Sequence, residues 1–169
     1  MNSLMVAEVC SVLEYKNGEL VWKASTGPGC KKGDFAGRAI AANGYRTVSL
    51  FGKSYKAHRL IYFMFNGEFA AEIDHINGVR HDNRIENLRP VTRSQNCANQ
   101  QTQKRSQTGL KGVSYMPKLQ KWRARIKVMQ KEIYLGVFPT KEDAAQAYNI
   151  SALHHFGEFA RTNKVEVAQ

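Results

Sequence analysis

Residues 72–100 read E-I-D-H-I-N-G-V-R-H-D-N-R-I-E-N-L-R-P-V-T-R-S-Q-N-C-A-N-Q. At the far end, Thr92-Arg93-Ser94-Gln95 has the Ser/Thr-x-x-Glu/Gln form that satisfies the open amides of a helix start, which predicts a helix from about residue 92. Asn96 then lies about one turn inside that helix. Leu88-Arg89-Pro90-Val91 is short, alternates and ends at the cap, so it reads as the second arm of a hairpin. The first arm ends at Glu72-Ile73 and delivers Asp74-His75 into a polar loop. The predicted unit is strand, long loop, strand, helix.

In such a unit Asp74 and Asn96 can bring two oxygen ligands to one point, which suits a hard cation that keeps several waters, Mg²⁺ before Zn²⁺. His75 is adjacent in sequence and leaves an extended chain on the opposite side, toward a water or a substrate. A near-neutral imidazole in that position suits a general base. Asn77, Gly78, Asn83 and Asn87 fill the loop, where Asn and Gly tolerate unusual backbone angles and side-chain amides can hold the loop closed.

At these residues the chain resembles the HNH endonucleases, in the branch that includes phage and intron-encoded homing enzymes. The resemblance runs through Asp74-His75-Ile76-Asn77-Gly78, Asn83-Arg84-Ile85-Glu86-Asn87-Leu88-Arg89 and the late Asn96. It implies a ββα-metal (His-Me finger) module in which His75 is the general base and Asn87 braces the loop. Asp74 and Asn96 would hold one divalent ion per site. The last letter of the family name is here Asn rather than His, which favours Mg²⁺ or Mn²⁺. A segment like Ala57-His58-Arg59-Leu60 also recurs in the resembling nucleases and makes His58 a minor candidate, with a structural role at a helix start the stronger reading.

The chain has 169 residues, enough for one ordinary domain or two small ones, and 43% of them are hydrophobic. The formal charge of +11 and a pI near 9.7 make nucleic acid the expected partner. Cys10, Cys30 and Cys97 are odd in number and form no C-x-x-C pair, so neither a disulfide framework nor a zinc knuckle is expected, and a reducing compartment is. No apolar run approaches the roughly 18 residues of a membrane span, and the opening residues lack the charged and apolar regions of a secretory leader. The expected setting is the cytoplasm, which the resemblance makes that of a bacterial cell carrying a phage gene. No membrane and no obligate protein partner is indicated.

Upstream, Val12–Tyr15 and Glu19–Trp22 flank Asn17-Gly18, a strong two-residue turn signal, after a short entry. Residues 24–37 are glycine-rich and read as a loop. Residues 44–50 and 54–57 read as paired strands around Phe51-Gly52-Lys53, and His58–Phe65 as a buried helix stopped by Asn66-Gly67. Residues 100–108 carry four glutamines and no apolar side chain, the composition of a linker.

After the linker the period becomes two. In Trp122–Val128 the odd positions are Arg123, Arg125 and Lys127 and the even ones are apolar, giving one core face and one cationic face. Glu132–Phe138 is the second strand, expected to bury Ile133, Leu135 and Val137 while Tyr134 joins the polar face. Gly112–Tyr115 supplies a third strand, with Lys118 and Lys121 in the connecting turn. A helix starting at Thr140 packs behind. Residues 104–164 hold 12 Lys/Arg against 4 Asp/Glu, so most of the positive charge belongs to this part.

From about Gly109 to Asn163 the chain resembles the Apetala-type, ethylene-response-factor DNA-binding domain, through G-V-x-Y, K-W-R-A-R-I, Y-L-G-x-F and E-D-A-A-x-A-Y. The resemblance implies a three-stranded antiparallel sheet laid in the major groove of double-stranded DNA with one helix behind it. The expected contacts are Lys118, Lys121, Arg123, Arg125, Lys127 and Tyr134. Ser114, Met116 and Glu132 stand where the plant domains carry Arg, so their target sequence does not transfer.

The expectation is therefore an α+β chain: an HNH nuclease domain over 1–99, a linker over 100–108, a sheet-based DNA-binding domain over 109–163 and a short tail. The expected activity is metal-dependent hydrolysis of DNA phosphodiester bonds. The alternative is a non-catalytic, sequence-specific DNA-binding regulator on an inactive nuclease scaffold.

Overall fold

A computed structural model describes residues 2–25, 27, 30–100 and 108–165. Helices and small antiparallel sheets alternate in it, an α+β arrangement. The chain divides into two compact units, Met1–Val91 and Thr92–Gln169. Residues 101–107, most of the expected linker, lie outside the described residues. Among the described residues no helix is long and apolar enough to cross a membrane.

Helix α1 (Asn2–Val12) opens the first unit. Nothing in its sequence announces it: it carries no acidic residue in its first turn and no basic one in its last, so the expected short entry is instead a helix. Strands β1 (Leu13–Lys16) and β2 (Glu19–Trp22) follow as the hairpin read from Asn17-Gly18. β3 (Phe35–Ala36) pairs with β2, ordering the end of the glycine-rich stretch. β4 (Thr47–Leu50) and β5 (Lys53–Lys56) pair around Phe51-Gly52.

Helix α2 (Ala57–Asn66) has an apolar face that buries Leu60, Ile61 and Phe63, and it ends at Gly67 in the left-handed conformation, φ 76°. Leu13, Leu20, Val48, Leu60, Ile61 and Phe63 form the centre of this unit's core. β6 (Glu72–His75) and β7 (Leu88–Val91) pair antiparallel, with Asp74 opposite Arg89 and His75 opposite Leu88.

In the second unit, α3 (Arg93–Asn99) carries the capping box read from its sequence: Thr92 accepts from the Gln95 amide, and the Gln95 side chain accepts from the Thr92 amide. This helix belongs to the second unit, where Ala98 buries itself with Ile126, Tyr148 and Ala152. β8 (Val113–Met116), β9 (Lys121–Val128) and β10 (Lys131–Phe138) form one sheet in the order β10-β9-β8. α4 (Lys141–Phe156) starts at a Thr140 cap and packs Ala144, Ala145, Tyr148 and Ala152 inward. Gly112 is required where β8 begins: its φ is 69°, and a Cβ there would collide with the Arg125 carbonyl and the Tyr148 ring. Asn163 closes the unit, exchanging hydrogen bonds with the Lys111 backbone and with Asn149.

Candidate active site and cationic sheet face

Asp74 and His75 are neighbours on β6, so their side chains leave on opposite faces of the ribbon. Both are buried, at 7% and 4% exposure, which for ionisable side chains marks a built environment. On one face, Arg89, directly across on β7, donates Nε (3.2 Å) and Nη2 (3.1 Å) to Asp74 Oδ2. The pairing itself was not legible in the sequence, where Arg89 read as part of an alternating strand and as the end of the Asn83–Arg89 motif.

On the other face, His75 Nε2 lies 3.0 Å from Asn83 Oδ1. An amide oxygen only accepts, so Nε2 carries the hydrogen and the lone pair of the neutral ring sits on Nδ1. Burial lowers the His75 pKa, against the opposing pull of the Asn83 hydrogen bond and the Asp74 charge. The ring is thus in its neutral form at neutral pH. Asn83, itself 1% exposed, emerges as the residue that orients the imidazole, whereas its sequence position suggested only loop closure. Replacing Asn83 with alanine is expected to lower a His75-dependent rate by about 10- to 100-fold, the range for outer partners that orient a functional imidazole. Circular dichroism and single-turnover kinetics on the same preparation check this.

Asn87 sits in the base of the loop between the strands. Its Oδ1 accepts from the Asn77 amide (3.0 Å), and its Nδ2 donates to Asn77 Oδ1 (3.1 Å) and to the Asp82 carbonyl (2.7 Å). Asn77 and Arg84 both bind the Asp82 carboxylate, whose pKa is held far below the usual range chiefly by Arg84. The amino-terminal hairpin supports the same loop. Tyr15 Oη accepts from the Ile85 amide (3.2 Å), and Gly18 (φ 88°) passes so close to the Arg84 backbone that a Cβ would lie 2.9 Å from its nitrogen. Residues 13–22, to which the sequence assigned no role, therefore hold the loop that holds His75.

Two more rings pack on His75. His58, at the start of α2, meets it edge-on at 4.9 Å between centroids, and Tyr45 lies 6.0 Å from it and 5.2 Å from His58. His58 is 4% exposed and its pKa is driven down to about 3, first by burial and then by His75, Lys56 and Arg59. It is a neutral packing ring in the fold.

Asn96 lies on α3 in the second unit, its amide donating to the Thr92 carbonyl at 2.9 Å. Asp74 offers a single carboxylate, and among the described residues no three or more His, Cys, Asp or Glu side chains gather as a metal site. A carboxylate oxygen is the donor class that suits a hard cation retaining waters.

In the second unit the expected alternation holds along β9. Ala124 and Ile126 are buried, Arg125 and Lys127 are exposed and Arg123 is half-buried. Tyr134, 64% exposed, stands opposite Arg125, so it shares the cationic face. Lys118 is in the turn before β9, and Lys121 is the first residue of that strand rather than part of the turn. The expected burial of Val137 is corrected: a bulge between Tyr134 and Gly136 shifts the register by one, which puts Val137 opposite Arg123 on the outer face and Gly136 opposite Ala124. Glu132 also stands on that face and binds Arg125 Nη1 at 2.8 Å.

Residues 55–98 match a family described as HNH endonuclease. An uncharacterized HNH endonuclease of Acanthamoeba polyphaga mimivirus is 33% identical over 132 residues, which cover 75% of this chain and 66% of that protein. The AP2-like ethylene-responsive transcription factor ANT of Arabidopsis thaliana is 28% identical over 135 residues, 75% of this chain and 23% of that protein. The chain thus spans just under two thirds of the length of the first relative and less than a quarter of the second.

Proposed function

We propose that this chain is a metal-dependent endonuclease that hydrolyses phosphodiester bonds in double-stranded DNA, a reading supported by the match of residues 55–98 to a family described as HNH endonuclease. The observation that carries the reading is His75: a buried, neutral imidazole whose Nε2–H is fixed on Asn83, placed beside a buried carboxylate on a loop braced by Asn87. In the proposed reaction His75 Nδ1 takes a proton from the attacking water, and Asn83 keeps the ring in the tautomer that can do so. Asn87 holds the loop, and so the ring, in place. The products are a 5′-phosphate and a 3′-hydroxyl.

Asp74 is the proposed carboxylate ligand of one Mg²⁺ or Mn²⁺ ion, and Asn96 the proposed second side-chain ligand. The ion, when bound, supplies Lewis-acid stabilisation of the charge that develops on the scissile phosphate. Arg89, which donates to Asp74 Oδ2, would hold the carboxylate in position.

The sheet of the second unit is the proposed duplex-binding surface, through Lys118, Lys121, Arg123, Arg125, Lys127 and Tyr134. The likeness to the plant transcription factor and the row of cations on β9 support it. Binding energy from this surface raises the local concentration of duplex at a small active site. A homing or phage-type biology follows from the family branch that the motif resembles.

The test is conversion of supercoiled plasmid by the purified chain with Mg²⁺ or Mn²⁺ against EDTA. Nicked or linear product that needs the metal supports the proposal; binding without cutting under every metal condition transfers it to the regulator alternative. For the sheet face, Arg125→Ala should weaken binding and make the slope of log affinity against log salt shallower by about 0.9. Glu132→Gln should steepen that slope, because it frees Arg125 from its carboxylate. Titrations at several salt concentrations check both.

A further inference from the structure

We propose that Lys56 and Arg80, gathered on Tyr45 beside His75, bind the DNA backbone phosphate at the cleavage position, and that Tyr45 is the residue that positions them. This deepens the nuclease reading and rests on it for the identity of the phosphate.

Lys56 ends β5 and Arg80 lies in the loop after β6, 24 positions further along the chain, yet both cations converge on one ring. The Lys56 ammonium is 4.3 Å from the Tyr45 centroid and the Arg80 guanidinium carbon 5.3 Å from it. The same ring is 6.0 Å from His75. The turn that presents Tyr45 is built for the purpose. Asn43 Oδ1 accepts from the Tyr45 amide (3.2 Å), and Asn43 presents its carbonyl to Arg80 Nη1 at 2.9 Å. Arg80 packs over Gly44, whose φ of 82° closes the turn.

Like charges brought together cost free energy unless something opposite visits them. Lys56 and Arg80 are both exposed, and neither forms an ion pair with an acid among the described residues. By contrast, Arg84 and Arg89, on the same hairpin, are each bound to an aspartate. The two acid-free cations are thus the pair that faces the ring beside the proposed base, while the structural arginines are neutralised. A backbone phosphate supplies the missing charge, offers oxygens to both groups, and when held there lies next to the imidazole that must activate a water. Tyr45 adds little charge of its own. Its face confines a flexible lysine and a flexible arginine, so less conformational entropy is lost when the phosphate arrives.

The test uses the full chain. Lys56→Ala/Arg80→Ala is expected to make the salt slope of duplex binding shallower by about 2 and to slow single-turnover cleavage by about 100-fold or more, the scale for removing charge-stabilising groups at a transferring phosphate. Lys56→Arg/Arg80→Lys should keep the slope and recover most of the rate. Tyr45→Phe keeps the ring and should behave like the wild type, whereas Tyr45→Ala should lose rate with little change in slope. An unchanged slope and rate in the double alanine variant overturns the phosphate site. Equal losses in Tyr45→Phe and Tyr45→Ala overturn the positioning role of the ring and assign it to the hydroxyl. If the wild type cuts no DNA with any metal, the nuclease reading fails by itself, and the slope alone still decides whether these cations bind phosphate.

Discussion

Replacing His75 with alanine lowers single-turnover plasmid cleavage by about 10²- to 10⁴-fold, the contribution of a positioned general base, and leaves duplex affinity unchanged. The ring is presented by the last residue of β6, held through Nε2 by Asn83, and packed by His58 and Tyr45. None of these contacts belongs to the cationic sheet face, and Tyr45 keeps its contacts with His58, Lys56 and Arg80 without the His75 ring, so binding has no reason to change with it. Truncation leaves the buried Asn83 oxygen without its donor, which costs about 1–3 kcal/mol, and the melting temperature must be followed alongside the rate. Asn87→Ala gives the contrasting result. It removes three hydrogen bonds that close the loop over residues 77–82, so the rate falls together with protection of that loop from proteolysis. Loss of rate with loop protection intact is the signature of the base; wild-type cleavage by His75→Ala removes His75 from the chemistry.

The parts of this fold that were legible are those whose signals are local. Thr92 and Gln95 form their reciprocal cap, Asn17-Gly18 turns the first hairpin, and the alternation along β9 separates Ala124 and Ile126 from Arg125 and Lys127. These are decided within a few residues by hydrogen-bond geometry or by period. The parts that were not legible depend on partners far along the chain. Arg89 meets Asp74 only because β6 and β7 pair in one register, and Asn83 meets His75 only because the loop folds back. Tyr45 reaches both histidines from a turn about 30 residues before His75, and Tyr15 reaches Ile85 across 70 positions. The bulge that turns Val137 to the outer face also leaves no mark, since Gly136 reads equally well as an ordinary strand residue. Helix α1 lacks an acid in its first turn and a base in its last, and it buries Val9 against the core.

Mild acid should destabilise the first unit through His58. In the fold this imidazole titrates near 3, because burial opposes its charged form and His75, Lys56 and Arg59 add like charge. In the unfolded chain it titrates at the ordinary 6.5. Below 6.5 the unfolded state gains a proton that the folded state refuses, so stability is complete above that pH and is lost as pH falls toward 3. Each pH unit in that window costs up to about 1.4 kcal/mol, or on the order of 4–5 kcal/mol across it, before solvent and relaxation reduce the figure. His75, also lowered by burial, acts in the same direction with opposition from Asn83 and Asp74. Asp82 contributes separately: its depressed pKa gives stability that persists above the ordinary carboxylate range and is lost only below about 4. The two causes therefore separate by window, and the interval from pH 6.5 to 4.5 reports the histidines. His58→Phe keeps a ring of similar shape and removes the titration, so thermal melts of this variant should show a clearly smaller loss of melting temperature across that interval than the wild type. Parallel losses in the two proteins would mean that His58 is charged or solvated in the fold, and that the ring packed on His75 is not the neutral one argued for.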